Sequence, residues 1–160
     1  MPFGPQEASL SENSRPTVDE HPQKVKVSAI EPAEHDPAEG WMGMAVQWIV
    51  TKDTVGSERT VLGITTFPPD GRHDIHKHPN AEELEYLVQG EGIARVGDVD
   101  VRMKAGDVVL VKANEAHGFW NTSTTEPAVL LWTYAGAASL DEAGYVYEPD
   151  VAHGARPDGA

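Results

Sequence analysis

The chain has 160 residues, 39% of them apolar, and carries 26 acidic against 12 basic side chains, a formal charge of −14 at pH 7. That length accommodates one domain with a hydrophobic core. A surface so acidic is repelled by phosphate backbones and anionic lipid, which disfavours nucleic-acid and membrane-surface roles, and the absence of cysteine excludes disulfide scaffolds, thiolate metal sites and cysteine nucleophiles.

Residues 1–23 are rich in Pro, Ser, Glu and Asn without periodicity and read as a flexible arm. The arm has no basic start followed by an apolar run, so it does not read as a secretory signal. No apolar run approaches the ~20 residues that span a bilayer. The expected location is the cytoplasm.

From residue 24 to 148 the signals are those of strands in a single β domain. KVKVSAI (24–30) alternates polar and apolar residues at period two; GMAVQWIV (43–50) and TVLGITTF (60–67) are short β-branched or aromatic runs between breakers. LEYLVQ (84–89), GIARV (92–96), VDVRM (99–103), DVVLV (107–111), HGFWNT (117–122) and AVLLWTY (128–134) follow at regular spacing. Gly97-Asp98 predicts a two-residue hairpin, because glycine at the first loop position accepts the positive φ of a type II′ turn. Only DEAGYVYEP (141–149) offers a helical turn, and residues 149–160 read as a loose tail. Many short strands at this spacing predict an all-β antiparallel sandwich or barrel.

Chemistry concentrates in HKHPNAEELEYLVQG (76–90). His76 and His78 share parity on an extended strand and so face the same side. Glu83 can return on the next strand, and GDVVLVKANEAHGFWN (106–121) adds His117. Three imidazoles and a carboxylate suit one divalent transition metal, Fe, Mn, Ni, Zn or Cu, with positions left for water or substrate.

These two stretches resemble the two motifs of the cupin superfamily, small jelly-roll β-barrels. The first motif runs Gly, five residues, His-x-His, three or four residues, Glu, six residues, Gly; here His76, His78, Glu83 and Gly90 fall in register, with Gly71 one place off. The second runs Gly, five residues, Pro-x-Gly, two residues, His, three residues, Asn. Gly106, His117 and Asn121 match it, while Lys112 replaces the proline and Asn114 the glycine, a mild change because Asn tolerates left-handed backbone. The resemblance covers about residues 60–135. It implies a jelly-roll barrel, His76, His78, Glu83 and His117 as metal ligands, and a homodimer, for which KVKVSAI is the candidate edge strand. Glu82 is the alternative carboxylate, but only Glu83 stands seven residues before Gly90.

Glu85 shares parity with Glu83 and should point into the barrel, where the family carries an apolar side chain. It is either a catalytic acid/base or a partner of Arg95 or Arg102. His73, three residues before His76, is expected off its face as a loop histidine or at the pocket rim. His21, His35 and His153 lie in polar segments and are expected in solvent. Arg59, Arg72, Arg95 and Arg102 are candidates for a substrate clamp. The four tryptophans read as core or dimer interface.

The reading that follows is a metal-dependent enzyme on a small organic substrate. A mononuclear-iron dioxygenase comes first; an isomerase, epimerase or lyase using Glu85 as acid/base is the alternative, and a small-molecule binding module the third.

Overall fold

A computed structural model describes residues 15–154. The alternating runs pair into two antiparallel sheets. The first holds β2 (Ala45–Val50), β3 (Thr60–Phe67), β10 (Ala128–Ala135), β5 (Glu82–Gln89) and β8 (Val108–Val111), in that order. The second holds β1 (Trp41–Met42), β4 (Arg72–Lys77), β9 (His117–Trp120), β6 (Glu91–Val96) and β7 (Val99–Lys104), with β11 (Val146–Tyr147) also on β4. This is the jelly-roll of the expected all-β class. Period-two burial along β3, β5 and β10 sends one face of the first sheet inward, so that Val46, Val61, Phe67, Leu87, Leu130 and Trp132 meet Phe119 and Ala94 of the second sheet in the core.

Turn chemistry behaves as the sequence predicts. Val96 pairs with Val99 around Gly97, whose φ is 60°. Asn114 adopts φ 63° in the place of a glycine. The lysine that stands for proline has a use, since the Lys112 amide, which proline would lack, donates to Glu115 Oε2 at 2.9 Å. Gly90 ends β5 at φ 88°.

KVKVSAI is not a strand. Val27–Ala29 forms a 3₁₀ turn, and Gln47 Nε2 donates to the carbonyls of Val27 and Ile30 at 3.2 and 2.7 Å. A side chain from β2 thus binds backbone that a neighbouring strand would have paired, and Ala33, just beyond the segment, makes an isolated bridge to Val46. The expected helical turn occurs slightly early, as α2 (Leu140–Ala143), capped by Ser139, and α1 (Lys52–Val55) is a short capped turn. The first 14 residues of the expected arm and residues 155–160 of the expected tail lie outside the described part.

Candidate metal centre

His76 sits near the end of β4, His78 just beyond it, Glu83 at the second position of β5 and His117 at the first of β9. Register brings them together: His76 is paired with His117 across the second sheet, and the reversal at Pro79-Asn80 returns the chain along the first. One donor atom from each of the four lies within 4.8 Å of the others, and all four residues are buried.

The backbone aims the imidazoles. Carbonyl oxygens only accept, so each ring's Nδ1–H donates to one: His76 to Asp74 O at 2.8 Å, His78 to Gly144 O at 2.6 Å and His117 to Glu115 O at 2.9 Å. Nε2 of each ring is thereby left for the cluster. His117 Nε2 lies 2.9 Å from Glu83 Oε2. His78 Nε2 is 3.3 Å from the same oxygen but misaligned, and remains a buried nitrogen without a hydrogen bond. An orphaned ring nitrogen beside a carboxylate, with tautomers fixed from behind, fits a divalent transition metal.

The electrostatics agree. Burial pushes the Glu83 carboxyl up, but its bond to His117 and the close approach of His117 and His78 pull it down to about 2. Burial pushes His117 down, and its bond to Glu83 more than reverses this, holding it at about 9. His76 is driven well below its ordinary value by burial and by the neighbouring imidazoles.

Glu85 does not pair with an arginine. It is 4% exposed, its Oε2 has no partner, and Arg95 is bound to Asp100 at 2.6 Å instead. Burial, then the Glu83 charge, raise its carboxyl to about 8 against the pull of His117. Glu83 and Glu85 open onto a cavity of about 20 Å³ walled by Trp41, Phe67, Phe119, Leu130, Trp132 and Tyr134. Glu82 is exposed, which leaves Glu83 as the carboxylate of the cluster. None of the four candidate arginines lines this cavity; Arg72 pairs with Asp74 at 2.6 Å.

Three histidines differ from expectation. The β4–β9 register shifts between His73 and His76, and an irregularity there reverses side-chain parity. His73 therefore stacks on His76 at 3.8 Å and on Trp41 at 4.1 Å, and lines the same cavity. Its Nε2 meets Tyr145 Oη at 3.1 Å, and that hydroxyl donates to Glu39 O at 2.6 Å. His35 is half-buried, stacked on Trp41 at 4.2 Å. His153 is also withdrawn from solvent: its side chain is 7% exposed and its Nε2–H donates to His73 O. Tyr145 had no sequence signal, because its role depends on a long-range return of the chain. Asn121 serves the scaffold, its Nδ2 reaching the carbonyls of Phe67, Pro68 and Glu126.

Residues 63–134 match the family model for the cupin domain. The chain is 28% identical over 103 residues to an oxalate-binding protein of Thermotoga maritima, covering 64% of this chain and 85% of that one. It is 24% identical over 123 residues to the tetracenomycin polyketide synthase protein TcmJ of Streptomyces glaucescens, covering 77% and 78%. Among solved structures, a predicted oxalate decarboxylase of Thermotoga maritima superposes with a TM-score of 0.63 at 26% identity, over 71% of this chain and 98% of that one. The two facing sheets, both histidine motifs in register and the matched family model together identify a cupin domain over residues 63–134.

Proposed function

We propose that this protein is a metal-dependent enzyme that acts on a small, oxygen-rich organic acid by proton-transfer chemistry of the lyase or isomerase kind. The observation that carries the proposal is Glu85, a buried carboxyl with an unpartnered oxygen, placed beside a cluster of three histidines and Glu83 and opening onto the same cavity. His76, His78, Glu83 and His117 would hold the metal, which supplies Lewis-acid polarisation of a chelating oxygen when bound. The backbone carbonyls behind the three rings keep the donors aimed inward before substrate arrives. Burial and the Glu83 charge raise the Glu85 carboxyl in the metal-free chain, and from its place on the cavity it can give a proton to, or take one from, a ligand there. Phe67, Phe119, Trp41 and Leu130 keep water from competing for that proton. The names of the oxalate-binding and oxalate-decarboxylase relatives support the small-acid class.

A mononuclear-iron dioxygenase is the second reading, favoured by the same apolar and aromatic walls, which would shield a reactive intermediate. Elemental analysis of tag-free protein, followed by a panel of small acids and enols scored for substrate loss and O₂ uptake, separates the two. The proposal expects about one metal per chain and substrate loss without O₂ uptake. Iron with stoichiometric O₂ uptake establishes the oxygenase instead. A protein that takes up no metal after reconstitution contradicts both and leaves a binding module.

A further inference from the structure

The cavity beside the metal cluster is small, about 20 Å³. Whatever chelates at the cluster must fit its remaining atoms there, so the wall that limits the space decides the ligand. Trp132 is one of the residues that wall the cavity. It lies directly across the sheet from Glu85 on β5 and from Gly63 on β3. A Cβ at position 63 would overlap the indole, so the missing side chain is what lets the ring lie flat against β3. The indole Nε1–H donates to Thr65 Oγ1 at 2.9 Å, and Trp48 packs edge-on at 5.0 Å. With the residue only 5% exposed, backbone, hydrogen bond and neighbouring ring fix it on three sides. A side chain held in this way is a rigid stop and not a gate.

We infer that Trp132 sets the size limit of the site, which takes chelating acids of two or three carbons and excludes catechols and larger rings. This rests on the proposed metal-dependent function of the same site. Ligand reach is set by the Gly63–Trp132–Thr65 arrangement, while Glu85, on the adjoining strand, meets whatever passes it.

The test is calorimetric titration of the full chain, reconstituted with manganese, using oxalate, malonate and catechol. The native protein should bind oxalate and malonate, with catechol at least about tenfold weaker. Trp132→Phe keeps an apolar ring while freeing space, and should narrow the oxalate-to-catechol ratio about tenfold. Since Trp132 is a core residue, Met44→Ala, which enlarges the same cavity from another wall, provides an independent variant expected to narrow it in the same direction. Catechol binding as tight as oxalate in the native protein, or an unchanged ratio in folded forms of both variants, overturns the size limit alone. A manganese-loaded protein that binds none of the three probes overturns the functional reading, and the size limit falls with it.

Discussion

Glu83 and Glu85 are two residues apart and equally hidden, yet their surroundings drive them in opposite directions. Glu83 lies against His117 and His78 and is held near 2. Glu85 has burial and the Glu83 charge acting on it and rises to about 8. Such a split assigns one carboxylate to ligation and the other to proton transfer. Glu85→Gln should therefore fold and load metal as the native chain does while losing about 10²–10⁴-fold in turnover. Glu83→Gln should lose metal as well. Metal content measured beside kcat separates these outcomes, and native turnover in Glu85→Gln would remove the proton-transfer assignment. Both carboxylates were visible in the sequence as residues of one parity on one strand. The orphaned oxygen of Glu85 was not, because whether an arginine reaches it depends on which face Arg95 takes. His73 escaped for a related reason: parity counting assumes regular pairing, and β4 is irregular between His73 and His76.

At the level of elements, β3 and β10 were legible almost to the residue because alternation is set by having one buried face. KVKVSAI alternates equally well but forms no strand pairing among the described residues, where Gln47 takes the carbonyls of Val27 and Ile30. An alternating pattern states what a segment could bury, not whether a neighbour accepts it. The expected use of that segment as the edge strand of a dimer is thus without structural support, and the outer face of the first sheet is proposed as the seam instead. Leu84, Tyr86 and Val88 of β5 stand 44, 41 and 48% exposed, beside Val108 and Leu110 of the edge strand β8 at 57 and 49%. Leu84 pairs with Leu110 and Tyr86 with Val108, so the five form one apolar patch. Patches of this kind mark association surfaces, and the proposed occupant is a second copy. Light scattering should find a dimer that Leu110→Lys converts to a monomer with unchanged circular dichroism. A native monomer, or a dimer indifferent to this change, places the seam elsewhere.

For the whole molecule, the buried titratable groups set how stability follows pH once a chelator has stripped the metal. His73 and His76 are held well below 6.5, chiefly by burial. The unfolded chain binds protons there that the folded chain refuses, so their contribution is present above about pH 6.5 and is lost on acidification. His117 and Glu85 act in the opposite sense. Their folded values, about 9 and about 8, stand above the ordinary 6.5 and 4.5. Their contributions are present at low pH; that of Glu85 is lost between about 4.5 and 8, and that of His117 between about 6.5 and 9. Below 6.5 two histidines outweigh one carboxyl, and above it both remaining groups destabilise. The stripped protein should therefore be most stable near pH 6.5 and weaken on either side. Metal competes with the His117 proton, so its affinity should rise with pH, and the loaded protein should keep its stability further into the alkaline range. Thermal melts of stripped and loaded protein from pH 5 to 9 read this directly. A stripped protein that grows steadily more stable up to pH 9 would show that His117 and Glu85 do not hold their protons in the fold, and the division of labour between Glu83 and Glu85 would go with it.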